Sequence, residues 1–354
     1  MLLAINPGST STKIALFEGN QNVFQVTLRH SAEELAPFDK VAEQYTFRKE
    51  IILQKLKEAN IDIHKINIVV GRGGIVKPIE SGVYEVNEDL KSDLLLARYG
   101  EHASNLGALI ADDIAQSLGG RAFITDPVVV DELQDVARIT GLPAIQRKSV
   151  FHALNQKAIA RAYARKRGDP YESLNLIVAH LGGGISVGAH QKGRIVDVNN
   201  AVDGEGAFSP ERAGSLPTGA LVELCFSGKY TQDEVKKMLS GKGGMVAHLH
   251  SNDMQSIAAQ AKAGDKHAQL IADAMAYQVG KGIGAAAAVL HGNVDAVLIT
   301  GGIAHNSLIV DYIYEMVRFI APVDVYPGED EMAALASNVE EALAGKMPIK
   351  KYTA

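Results

Sequence analysis

Two similar α/β domains with a cleft between them are what this 354-residue sequence predicts. Three observations point there. A chain of this length exceeds one typical domain and suits two, each able to bury its own core. A unit of strand, polar turn and strand opens the chain and recurs about half a chain later, at 176–189. A further glycine turn, Gly301-Gly302, again follows an apolar strand.

Leu2 to Ile5 and Lys13 to Phe17 are apolar runs of strand length, joined by a polar loop. Val41 to Ala59 has helical character with its charges on one face, and leads to a strand at Ile66 to Val70. Gly71-Arg72-Gly73-Gly74 then breaks regular structure. Ala103 to Leu118 is helical, with Leu106, Leu109, Ile110 and Ile114 on one stripe. Ala122 to Thr125 is a short strand ending at Asp126-Pro127, and His152 to Lys166 is a helix rich in Ala and Arg. Leu176 to Ala189 repeats the opening pattern around Gly182-Gly183-Gly184. Ala268 to Leu290 is long and apolar, but Asp273, Gln278 and Lys281 interrupt it, so it reads as a buried helix and not a membrane span. Val294 to Thr300 is a strand, Asn306 to Ile320 a helix and Val323 to Tyr326 a strand. Glu331 to Ala344 is an amphipathic helix expected to turn Ala333, Leu335, Val339 and Leu343 inward and to cross back to the first domain. The expected division is 1–150 with 331–354, and 151–330.

Composition narrows the function. Apolar residues at 47% and charged residues at 21% are ordinary for a soluble globular protein. A net charge of -6 argues against nucleic acid as partner, though not against phosphate ligands held by local groups. The single cysteine, Cys225, excludes an internal disulfide and any multi-cysteine metal site, which fits a reducing, cytoplasmic setting. Met1 leads straight into a strand-like run, so no signal peptide is expected, and no membrane partner.

The opening loop, Asn6-Pro7-Gly8-Ser9-Thr10-Ser11-Thr12-Lys13, has glycine, hydroxyls and a lysine but does not fit G-x-x-x-x-G-K-[ST]. A loop between antiparallel strands can present backbone N–H groups to an anion without a helix dipole, and hydroxyls add donors. A plain polar hairpin turn stays open as the alternative. Three glycine turns, each after an apolar strand, fit a nucleotide gripped from both domains.

Ile5 to Lys13 resembles the opening motif of the carboxylate kinases, the acetate and butyrate kinases, within the acetate and sugar kinase, heat-shock chaperone and actin superfamily. Phe151-His152-Ala153-Leu154-Asn155, His180-Leu181-Gly182-Gly183-Gly184 and Thr300-Gly301-Gly302-Ile303-Ala304-His305-Asn306-Ser307 follow in that family's order, so the resemblance spans essentially the whole chain. The shorter length, Gly73-Gly74, Asp203-Gly204-Glu205-Gly206 and Ser209-Pro210-Glu211-Arg212 look like the butyrate kinase branch. This implies two ribonuclease H-like (actin-like ATPase) domains, and the reaction ATP + carboxylate ⇌ ADP + acyl phosphate on butyrate or a branched short-chain acid, with ATP and Mg2+. A homo-oligomer, at least a dimer, is expected. The alternatives are the same chemistry on acetate or propionate, an actin- or chaperone-like ATPase, and a sugar kinase.

A carboxylate is already anionic at neutral pH, so the nucleophile needs no general base, and the work is electrostatic and positional. Under the resemblance, Arg72 and Arg212 are the clamps, suited by their fork geometry. His102 contacts the transferred phosphoryl and His180 donates to it or to the β-phosphate. Asp126 orients an arginine or holds magnesium through water, or merely starts the next turn. Asn6 (through water) and Glu331 serve magnesium, although the acidic run 329–331 also suits a helix N-terminus. Gly8, Ser9, Ser11, Gly182, Gly183 and Gly184 face phosphates, and Gly301, Gly302 and Ile303 line the adenosine. His152 is read as structural, and Ser251-Asn252-Asp253-Met254 resembles a family segment without an assigned role. Two departures matter. Gly74 stands where acetate kinases carry a valine narrowing the acyl pocket, so a roomier pocket is expected. Gln156 replaces a family histidine, whose role does not carry over.

Overall fold

In the computed structural model, which describes residues 1–354, the chain forms two compact units, Met1–Val130 with Asp330–Ala354, and Asp131–Glu329. Residues 131–150, grouped with the first domain on sequence, go with the second unit. The first unit runs β1 (Leu2–Pro7), β2 (Ser11–Glu18), β3 (Gln21–Arg29), the single turn α1 (Ala32–Leu35), α2 (Tyr45–Glu58), β4 (Ile68–Arg72), β5 (Val83–Glu85), α3 (Glu88–Leu95), α4 (Asn105–Leu118) and β6 (Arg121–Thr125). The second runs α5 (Asp135–Arg138), α6 (Ala153–Arg167), β7 (Asn175–Leu181), β8 (Ile185–Gln191), β9 (Arg194–Val198), α7 (Thr218–Cys225), α8 (Gln232–Leu239), α9 (Gly244–Leu249), α10 (Met254–Lys262), α11 (Lys266–Val289), β10 (Ala296–Gly301), α12 (Ser307–Val317) and β11 (Val323–Pro327). The chain then returns to the first unit with α13 (Glu331–Leu343) and β12 (Ile349–Lys351).

The sheets are built alike. Their strand orders are β12-β5-β6-β4-β1-β2-β3 and β11-β10-β7-β8-β9. Each contains an antiparallel triplet, β1-β2-β3 or β7-β8-β9, continued by two parallel strands, β4-β6 or β10-β11. The repeat seen in the sequence is therefore a repeated five-strand pattern, extended in the first sheet by β5 and β12. Parallel neighbours need long crossovers, which the helices supply. β7 is buried along its whole length, which accounts for its nearly unbroken apolar run. β3 carries no such signal. It is an edge strand with polar residues on its exposed face, and only Phe24, Val26 and Leu28 turn toward the core.

In the first core, Leu3, Ile5, Ile14 and Leu16 of the sheet pack with Ile52 and Leu56 of α2 and Leu106, Ile110 and Ile114 of α4. In the second, Ile177, Ala179 and Ile299 pack with Met275, Val279 and Ile283 of α11 and Ile309 and Ile313 of α12. Each such fully buried Leu, Ile or Val contributes about 1.5–3 kcal/mol over its exposed state. α11 is thus a core helix, and no helix is long and apolar enough to cross a membrane.

Two contacts set the site. α4 lies so close on β4 that a Cβ at Gly71 would overlap the Gly107 carbonyl, and one at Gly107 the Arg72 carbonyl. That contact fixes the strand end carrying Arg72. α13 packs on β1, β4 and β6, but its inward stripe is Met332, Leu335, Val339 and Ala342. Ala333 is only half-buried and Leu343 is 40% exposed. The helix starts at Glu331 as the sequence suggests, capped by Asp330 accepting from Ala333 N–H, and its packing on β1, β4 and β6 selects the buried stripe.

Candidate active site

The loop between β1 and β2 is polarised. Gly8 N–H donates to the Ser11 carbonyl, closing a tight turn. The Gly8, Ser9 and Ser11 carbonyls all accept from the guanidinium of Arg48, and the Thr10 carbonyl accepts from His30 N–H. Every carbonyl from 8 to 11 is therefore engaged, while the N–H groups of exposed Ser9 and Thr10 reach no protein acceptor. With the Ser9 and Ser11 hydroxyls, that leaves a cluster of outward donors, the arrangement an anion requires.

At the end of β1, Asn6 Nδ2 donates to Glu331 Oε2 at 2.5 Å. Arg72 Nη1, from the end of β4, donates to Asn6 Oδ1 at 3.3 Å and to Glu331 Oε2 at 3.2 Å. Three candidates far apart in sequence thus meet in the first unit. Glu331 Oε1 has no protein partner, so one carboxylate oxygen beside an amide oxygen stands ready. Such a sparse oxygen set fits magnesium, which keeps several waters. No group of three or more acidic, His or Cys side chains exists to form a fuller metal cage.

His102 precedes α4. Its Nδ1 accepts from Ser104 N–H at 3.1 Å, so the neutral ring carries its proton on Nε2. Although the residue is exposed at its edge, desolvation and then the Arg72 charge lower its pKa below the ordinary value. It stands beside Arg72 as a neutral donor.

Asp126 and Gly74 sit behind this group. Asp126 is 1% exposed, at φ +40°, with Oδ1 accepting from Gly82 N–H and Oδ2 from Asn338 Nδ2. These bonds tie β6 to α13 and to the loop before β5. Gly74 corrects the expectation of a roomier acyl pocket. It is buried, and a Cβ there would lie 2.6 Å from Asn105 Cα and 2.6 Å from Leu94 Cδ2. Close packing, not open volume, takes up the missing side chain.

The second unit gathers the remaining candidates. Gly182, Gly183 and Gly184 turn between β7 and β8, braced by Gly182 N–H to the Gly184 carbonyl and Ser209 Oγ to the Gly183 carbonyl. A Cβ on Gly184 would overlap Arg212 Nη1, so this glycine is the gap through which Arg212 passes. Arg212 donates to the Ala201 carbonyl, and desolvation lowers its pKa despite Glu211 and Asp203. His180, 1% exposed, has Nδ1 on Asn155 Oδ1 at 2.8 Å and Nε2 facing Glu329 Oε1 at 3.2 Å. In this conformation it reaches a ligand only if Glu329 moves. His152 stacks on it, ring centroids 3.8 Å apart, and holds Ser186 Oγ through Nδ1. Gln156 takes up a bridging role, with Nε2 on Ser186 and Oε1 on His190.

A pocket of about 620 Å³ opens beside the glycine turn. Gly182, Gly183, Gly302 and Ile303 line it, with Asn252, Lys262, His305 and Glu329 among the polar members. Gly301 is not in the lining. At φ +94°, it presses on the Leu181 carbonyl behind. The segment 251–254 has no role legible from its motif. Asn252 in fact donates to Glu211, and Asp253 caps α10, a cap that the polar run before an apolar-periodic stretch does signal. Nor is Arg48 legible as part of the site, because an arginine in a charged helix reads as solvent-facing, whereas it is buried.

Two matching sheets with glycine turns at their strand ends define a protein of the actin-like ATPase fold. Solved structures agree: acetate kinase from Porphyromonas gingivalis superposes with TM-score 0.79 at 21% identity, covering 97% of this chain and 99% of that one. Acetate kinase from Entamoeba histolytica gives 0.74 at 19%, covering 96% and 98%. The chain belongs to the acetokinase family, whose profile matches residues 143–324. Among curated proteins, butyrate kinase 2 of Clostridium acetobutylicum is 56% identical over 351 residues, 99% of each chain. A probable butyrate kinase of Phocaeicola vulgatus is 54% identical over the same share.

Proposed function

We propose that this protein is a carboxylate kinase that moves the terminal phosphoryl of ATP onto butyrate or a similar short-chain acid, reversibly. The observation that carries the reading is the first-unit group: an outward donor loop at 8–11, Arg72 and His102 as donors, and a lone carboxylate, Glu331, with no general base among them. Full-length similarity to butyrate kinases supports the choice of acid.

A carboxylate oxygen of the acid attacks the terminal phosphorus as the bond to the bridging oxygen breaks, giving acyl phosphate and ADP. The Ser9 and Thr10 N–H groups hold the terminal phosphate. Arg72 and Arg212 neutralise charge spreading over the equatorial oxygens, and His102 Nε2–H donates without itself changing charge. The glycine-lined pocket of the second unit takes the nucleoside. Glu331 and Asn6 would hold magnesium, largely through water, and the ion would supply further charge neutralisation.

Hydroxylamine converts acyl phosphates to hydroxamates, so a panel of acids from acetate to valerate, with isobutyrate, tests the reading. The expected result is hydroxamate formation strongest with butyrate or isobutyrate. ATP hydrolysis without hydroxamate from any acid overturns it, and a clear preference for acetate overturns the choice of acid.

A further inference from the structure

We propose that Arg48 is a positioning residue for phosphoryl transfer. It draws the carbonyls of the 8–11 loop inward and so turns the loop's N–H groups out toward the terminal phosphate. The proposal rests on the reading of that loop given above.

Arg48 lies on α2 and is 1% exposed. Its Nη1 donates to the Gly8 carbonyl at 2.7 Å, the Ser11 carbonyl at 3.1 Å and Thr12 Oγ1 at 3.2 Å. Nη2 donates to the Ser9 carbonyl at 2.9 Å. Gln44, one turn earlier, accepts from Nε and Nη2 through Oε1, at 3.1 and 2.7 Å, and fixes the fork. No carboxylate faces the guanidinium, and burial brings its pKa down to about 10, so it remains charged at neutral pH.

A buried cation without a counter-ion is costly, and an apolar side chain of similar volume would fill this space at less cost. What the arginine supplies is direction. A peptide unit whose C=O is pulled to one side presents its N–H to the other, and three of the four loop carbonyls are pulled by one rigid fork. Lysine keeps the charge but has no fixed fork with which to bridge Gly8, Ser9 and Ser11 at once. The neighbouring Lys49 makes an ordinary half-exposed pair with Asp113, which marks Arg48 as different from the rest of its helix.

The test compares nucleotides differing only at the terminal phosphate. Affinities for ADP and a non-hydrolysable ATP analogue, turnover with butyrate, and thermal unfolding are measured for wild type, Arg48→Met, Arg48→Lys and Gln44→Leu. Arg48→Met is expected to weaken the ATP analogue roughly tenfold while ADP stays within about twofold. Its turnover should fall roughly a hundredfold. Arg48→Lys should recover little, and Gln44→Leu should fall between. Equal weakening of both nucleotides, or wild-type discrimination and turnover in a folded Arg48 variant, overturns the proposal. If Arg48→Met does not fold, Arg48→Lys and Gln44→Leu decide by the same comparison. Wild type that forms no hydroxamate sinks the functional reading, whereas active wild type with indifferent variants sinks only the assignment of Arg48.

Discussion

Gly184 and Arg212 occupy one place, since the Cβ that any other residue brings would overlap the guanidinium. Arg212→Ala should lower turnover roughly a hundredfold, the cost of one lost donor to developing charge. Gly184→Ala should do much the same by displacing an intact Arg212, and the double variant should be no worse than the worse single one. Steady-state kinetics on folded variants check this, and a near-normal Gly184→Ala enzyme refutes the coupling. Gly74→Val belongs to a different kind. With Asn105 and Leu94 already filling the space, it should destabilise by about 1–3 kcal/mol, read by urea unfolding, and leave the order of preferred acids unchanged. A shifted acid preference with normal stability would restore Gly74 to the substrate pocket. Residue types in motifs are legible in the sequence: Asn6, Arg72 and Glu331 each stand in one, and in the fold they meet. Arg48 and Gln44 are not, because their role lies in which carbonyls they reach, a property of the folded loop that no spacing encodes.

Elements with strong period were readable, and their boundaries and faces less so. β1, β2, β7 and α4 follow from apolar pattern, whereas β3 is hidden by its polar outer face and the stripe of α13 depends on the strands β1, β4 and β6 it packs against. α13 also carries a polar device into the core. Asn338, 2% exposed, donates to Thr125 Oγ1 at 3.0 Å and Asp126 Oδ2 at 3.2 Å, joining the helix to the end of β6. Asn338→Leu keeps the branched four-atom shape at a larger volume and removes both bonds, so it should cost about 1–3 kcal/mol. Denaturant unfolding measures that loss. Because Glu331 stands at the start of the same helix, turnover should fall as well if the Asn338 anchor holds the helix in register. Unchanged stability and unchanged turnover would show that the apolar stripe suffices by itself.

The duplicated sheet pattern was legible in the whole chain because a polar or glycine turn after an apolar strand marks both halves. The protonation of the histidines was not, since it depends on which cation the fold brings beside each ring. Three histidines have lowered pKa values, each chiefly by desolvation. Arg48 adds to the lowering at His30, Arg72 at His102 and Lys157 at His190, whose shift is large. Glu34 opposes it at His30 and Glu132 at His190, where Arg161 adds to the lowering. In the unfolded chain such rings take up a proton near pH 6.5, while in the folded chain they stay neutral to lower pH. Between those limits the unfolded state binds more protons, so stability rises with pH and is lost as pH falls below about 6.5. The lowered carboxylates, such as Glu85, act with the same sign but in the window below about 4.5. Glu340, raised by burial, acts with the opposite sign just above that window. Denaturant midpoints at pH 7.5 and 5.5 should therefore show a clear loss at the lower pH. His190 accepts from Tyr171 and faces Gln156, so His190→Asn should be less stable at pH 7.5 yet show a flatter pH slope. An undiminished slope in that variant would move the titration to His30 and His102, and no slope in wild type would contradict all three shifts.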